Sequence, residues 1–131
     1  YSMSYFILKN IKNTTFENAK QQVIEALKAE GFGVLTNIDI KTTFKNKLDV
    51  DVRPYEILGA CNPNYAYKAL QNDPKLGVFL PCNVIVEQLE DGSIDVFAVD
   101  PISAMAAANN SEVEGFAADV KQKLQNMMKN L

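Results

Sequence analysis

The stretch Arg53-Pro54-Tyr55-Glu56-Ile57-Leu58-Gly59-Ala60-Cys61-Asn62-Pro63, followed after a helical segment by Leu80-Pro81-Cys82-Asn83-Val84, decides how the chain reads. Residues 55–60 read as the third strand. Asn62-Pro63 is a helix start, with a capping side chain and a proline at the first helical position, where a missing amide costs nothing. Tyr65, Ala66, Ala69 and Leu70 mark the buried side of that helix, and Asn72-Asp73-Pro74 ends it. A long strand over 77–89 follows, which gives a strand, helix, strand unit at the centre of the chain.

Working outward, residues 5–11 read as a first strand. Thr14 and Glu17 form a capping box. Phe16, Ala19, Val23, Ala26 and Leu27 repeat at helical spacing up to Gly31, which predicts a helix over 15–30. Residues 32–39 are a second strand. Ile40, Phe44 and Leu48 fall four apart, which fits a short helix or an irregular connection with three buried anchors. Asp49-Val50-Asp51 reads as a solvated turn, because the glycine and closing glutamate of an EF-hand loop are missing. Glu90-Asp91-Gly92-Ser93 is a hairpin turn, and residues 94–99 are a fifth strand. Asp100-Pro101 repeats the cap-plus-proline device ahead of Ile102, Met105 and Ala106. Ser111 and Glu114 make another capping box. Val113, Phe116, Ala117, Val120, Leu124, Met127 and Leu131 form the clearest amphipathic stripe, whose methionines read as core filler. This order predicts an α+β fold: a single mostly antiparallel sheet of about five strands, helices on one face, and a single domain over 3–131.

Composition narrows the function. With 131 residues and 47% hydrophobic residues, the chain can bury a real core. A formal net charge of −3, with lysines spread along the chain, argues against nucleic acid as a partner. No apolar run approaches the roughly 18 residues of a membrane span. The N-terminus shows no signal-peptide pattern, and Tyr1-Ser2 ahead of Met3 reads as a cloning remnant, so the cytoplasm is the expected location. The chain has no histidine, which removes Ser-His and Cys-His dyads and the His-containing zinc sites.

What chemistry remains concentrates at Cys61-Asn62 and Cys82-Asn83. If the central unit is a crossover, its helix returns about 15 Å along the sheet at roughly 1.5 Å per residue. The next strand then climbs back about 20 Å at roughly 3.3 Å per residue, which brings Cys82 level with Cys61. Cys61 lies just before a helix whose first amides favour an anion and can lower a thiol pKa. Pro81 suggests an edge strand or a bulge at Cys82. Against this, free cysteine usually packs as a small hydrophobe, and Asn62 is explained as a cap. The paired helix starts at Asn62 and Asp100 could receive an anionic group, provided Asp100 is neutral or turned away.

At these residues the chain resembles the bacterial and archaeal family called domain of unknown function 302, from Tyr5 to Met128. The most specific matches are Arg53-Pro54-Tyr55, Leu58-Gly59-Ala60-Cys61-Asn62-Pro63, Ala66, Ala69-Leu70, Leu80-Pro81-Cys82-Asn83-Val84 and Asp100-Pro101 with Met105. The resemblance implies a curved antiparallel sheet of the TATA-binding-protein-like kind, with no DNA-binding consequence, and brings no activity, cofactor or substrate with it. The leading expectation is a small-ligand domain, its ligand carrying an anionic group, with Arg53, Tyr55, Cys61, Asn62, Cys82, Asn83 and Met105 around one pocket. The alternative is thiol redox or sulfur handling, with Cys61 reacting and Cys82 resolving. Two thiolates are too few to close a zinc site, so no metal is assigned and soft-metal binding ranks last. A homodimer, pairing through an edge strand near Pro81, is the remaining partner.

Overall fold

A computed structural model describes residues 4–131, and the Tyr1-Ser2 pair lies outside them. The chain runs β1 (Phe6–Ile11), α1 (Phe16–Ala29), β2 (Gly33–Asp39), α2 (Ile40–Leu48), β3 (Tyr55–Cys61), α3 (Pro63–Asn72), a 3₁₀ segment (Pro74–Phe79) and β4 (Cys82–Gln88). It continues through β5 (Ile94–Val99), α4 (Pro101–Met105), a short 3₁₀ turn (Ala106–Ala108) and α5 (Ser111–Lys129). The five strands form one sheet in the order β1-β5-β4-β3-β2, with every neighbouring pair antiparallel. The α+β architecture therefore stands as expected from the sequence.

Strand alternation sorts the sheet into two faces. Leu58 and Ala60 of β3, Cys82, Val84 and Val86 of β4, and Ile94, Val96 and Ala98 of β5 are buried against the helices. α1 contributes Ala19, Val23 and Leu27 to this core, and α5 contributes Leu124 and Met127. Met127 and Met128 are buried, as core filler should be. Glu56 faces the same core, and its carboxylate is met there by Lys20 of α1 at 2.7 Å, which offsets the cost of burying the charge. The opposite face carries the alternate residues, and among the described residues α2 is the helix that lies toward it, with Ile40 and Phe44 bordering a groove over Tyr55 and Ile57.

Several local expectations change. α1 is capped by Thr15, which accepts from the Asn18 amide at 3.1 Å, so the cap lies one residue after Thr14. α5 is capped by Asn110, which accepts from Glu112 and Val113, one residue before Ser111. Residues 40–48 are a helix, but Phe44 and Leu48 stay exposed, so the anchors are not buried. Asp49 and Asp51 form the solvated turn and pair with Lys45.

The fourth strand starts at Cys82, since residues 74–79 coil as a 3₁₀ segment capped by Asp73. β3 and β4 pair antiparallel, with Ala60 opposite Cys82, so the crossover geometry does not form. β4 lies inside the sheet, bonded to both β3 and β5, which overturns the expected edge strand at Pro81. Pro81, which follows a cis peptide bond, costs the ladder nothing because it precedes the strand. Gly59 is needed beside it, because a Cβ there would sit 2.8 Å from Pro81 Cγ and 2.2 Å from Thr36 Oγ1. Among the described residues, no helix is long and apolar enough to cross a membrane.

Candidate functional site

The residues singled out by sequence fall into three places. Cys61, Asn62, Cys82 and Met105 converge on one crevice between the sheet and α3, α4 and α5. They arrive from the end of β3, the start of α3, the first position of β4 and the end of α4. The antiparallel register puts Cys82 opposite Ala60, diagonal to Cys61, so the cysteines are neighbours by a different route from the one expected. Arg53 and Tyr55 line the groove beneath α2 instead. Asn83 pairs with Gly59 and is exposed on the open face, away from both cysteines' crevice.

The crevice is tight and apolar. Its volume is about 30 Å³, far below the roughly 300–1,000 Å³ of a typical ligand site. Phe32, Tyr65, Phe116 and Val120 help to close it. Cys61 is half-buried and Cys82 buried, and both are free thiols. Burial pushes the Cys61 thiol up, and burial together with the neighbouring Cys61 pushes Cys82 up to about 11. Desolvation therefore outweighs the helix start, and both groups are thiols at neutral pH, not thiolates.

The two helix starts beside the crevice serve other ends. Among the described residues, the Asn62 side chain caps no α3 amide; its Nδ2 donates to the Glu30 carbonyl at 3.4 Å and ties α3 to the end of α1. A Cβ on Gly31 would come within 3.1 Å of that Nδ2, so the bare glycine is part of the fit. Asp100 accepts from the Ile102 and Ser103 amides, and its other oxygen meets Lys121 Nζ at 2.8 Å. Its charge is matched within the fold, and α4 keeps no free cap for an anion.

The groove is larger, about 890 Å³, and open to solvent. α2 supplies Ile40, Lys41 and Phe44, and the sheet supplies Tyr55, Ile57 and Glu87. Arg53 stands at its rim, anchored by Nε donating to the Gln88 carbonyl at 3.1 Å. No carboxylate pairs with its guanidinium among the described residues. Lys41 Nζ donates to the Val52 carbonyl at 2.8 Å. Burial and the Glu87 charge raise the Tyr55 phenol, which therefore stays a hydrogen-bond donor. Sequence reading missed Lys41, Phe44, Ile57 and Glu87. The available signals were the four-residue spacing of Ile40 and Phe44 and the alternation that turns Tyr55 and Ile57 away from the core. Among the described residues, no three Cys, Asp or Glu side chains group as a metal site.

A family model described as "Domain of unknown function DUF302" matches residues 8–131. No curated protein matches the chain. Among solved structures, it is similar to the crystal structure of an uncharacterized conserved DUF302 protein from Bacillus stearothermophilus. That likeness has a TM-score of 0.88 and 27% sequence identity, and it covers 96% of this chain and 97% of that one.

Proposed function

The chain belongs to the DUF302 family, and we propose that it is a small-molecule-binding domain whose site is the groove under α2, with a ligand acid group facing Arg53. Capacity carries this reading. Ligand sites typically measure about 300–1,000 Å³. The groove's volume of about 890 Å³ falls in that range, whereas the cysteine crevice measures about 30 Å³. Apolar walls at Phe44 and Ile57 suit a hydrocarbon or ring, and the Tyr55 hydroxyl supplies a neutral donor. Glu87 and Asp51 balance Lys41 and Arg53 along the walls, which favours a ligand of mixed polarity over a bare anion. The chain's net charge of −3 argues against nucleic acid.

The test is an amide-shift titration with a panel of aliphatic and aromatic carboxylates. A ligand of this class should move the amides of Phe44, Arg53, Tyr55 and Ile57 saturably. Arg53→Ala should then weaken binding by roughly 10- to 100-fold, the value of a hydrogen bond to a charged group. Saturable shifts confined to the cysteine crevice, or none across the panel, would remove the reading.

The thiol alternative keeps one supporting observation, the adjacency of two free cysteines. Their raised pKa values weigh against a reactive thiolate. Loss of reaction with peroxide in Cys61→Ser, from a wild type that reacts fast at neutral pH, would revive it.

A further inference from the structure

The face of the sheet turned away from the core carries an unbroken apolar row. Ile38 pairs with Ile57, Ile57 with Ile85, Ile85 with Phe97, and Phe97 with Leu8, so one apolar residue from each strand lies in line across the sheet. Its ends are open, with Leu8 50% and Ile38 47% exposed. Its inner members Ile57, Ile85 and Phe97 are half-buried, and an apolar row on a sheet face bordered by one helix marks an interaction surface. Among the described residues, α2 borders the β2–β3 half of this face and no helix covers the β5–β1 half.

We infer that this face docks a second copy of the chain, sheet on sheet, with each α2 laid over the half that its partner leaves bare. A two-fold axis in the interface along β4, the middle strand, sets β1 of one copy against β2 of the other. Leu8 then meets Ile38 of the second copy, and Ile85 meets its own counterpart at the axis.

Charge supports the same arrangement. α2 carries Lys41, Lys45 and Lys47 and no acidic residue. The strand row at its level is Tyr55, Glu87, Asp95 and Asn10, and Asp95 belongs to the bare half. The same axis brings α2 of one copy over Asp95 of the other. Lys41 and Lys45 already have partners within their own chain, whereas Lys47 forms no ion pair among the described residues. The face approaches the size that a dimer needs. Five strands about 4.8 Å apart and six residues long, at about 3.4 Å each, give a plan area of roughly 490 Å². Side-chain relief and the flank of α2 add to this, toward the about 800 Å² per partner of a standard interface.

The inference stands apart from the ligand reading, because mass alone reads it with no ligand present. Sedimentation velocity on the full chain should show twice the monomer mass. Leu8→Glu and Ile38→Glu, both at exposed positions, should each sediment as monomer with an unchanged far-ultraviolet circular dichroism spectrum. Asp95→Lys should also release monomer, and adding Lys47→Asp should restore the dimer. A monomeric wild type overturns the inference. So does a dimer that survives Leu8→Glu and Ile38→Glu, which would move the contact to an edge strand or the helical face. A dimer indifferent to Asp95→Lys overturns the placement of α2.

Discussion

At Cys82 two influences act in the same direction. Burial disfavours the charged form, and the neighbouring Cys61 adds to the shift, so the thiol moves from an ordinary 9.0 to about 11. The sign of the pH effect follows. Between those values the unfolded chain has released the proton and the folded chain has not, so raising the pH favours unfolding. Stability is fully present below pH 9 and is lost as the pH rises through about 11, by about 2–3 kcal/mol from this group. Urea midpoints measured between pH 9 and 11 should therefore fall less steeply in Cys82→Ala than in wild type. Identical slopes would mean that Cys82 is not shielded. Asn62 gives a second instance of position outranking residue type. Its place before Pro63 marks it as a cap, yet its amide reaches across to Glu30, because the bare Gly31 lets the α1 end come close.

Among the elements, the helices were legible because their apolar residues repeat, and proline marked the starts of α3 and α4, while the caps of α1 and α5 were misplaced by one residue. Thr14-x-x-Glu17 and Ser111-x-x-Glu114 both satisfy the capping-box pattern, but each has a second cap-forming neighbour, Thr15 and Asn110. The side chain that captures an amide is fixed by where the helix meets the core, which for α1 is Phe16, and spacing alone does not carry that. The two assignments make opposite predictions. Asn110→Ala should cost about 0.5–2 kcal/mol in chemical denaturation and Ser111→Ala much less. The reverse ranking would restore the capping box. The false start of the fourth strand has a different origin. Residues 77–81 are apolar enough for a strand, yet Asp73-Pro74 is the same cap-plus-proline device as Asp100-Pro101. Asp73 accepts from the Lys75 amide at 3.0 Å and starts a new turn, so the pair that ends α3 also opens the 3₁₀ segment.

Over the whole molecule, sequence pattern separated core from surface well and the two surfaces of the sheet poorly. Alternation in β3 and β4 identifies Leu58, Ala60, Val84 and Val86 as inward residues, but it leaves open whether Ile57 and Ile85 meet water, a helix or another chain. For the same reason the expected single pocket divides: Tyr55 and Cys61 lie at opposite ends of β3 and serve different cavities. Cohesion should be as uneven as this burial. β3, β4 and β5 each bury several side chains, whereas β2 keeps only Val34 half-buried and α2 leaves Phe44 and Leu48 exposed. Regions with few buried apolar contacts open at lower free energy than the core. Hydrogen exchange read by mass spectrometry should therefore release residues 33–48 well before residues 82–99. Dilution then separates intrinsic looseness from a partner's protection. If a second copy covers the open face, protection of residues 40–48 and of residues 6–8 should fall together as the protein is diluted, with residues 94–99 changing far less. Exchange at 40–48 that ignores concentration would assign the looseness of α2 to the single chain, and residues 33–48 outlasting residues 82–99 would refute the burial ranking itself.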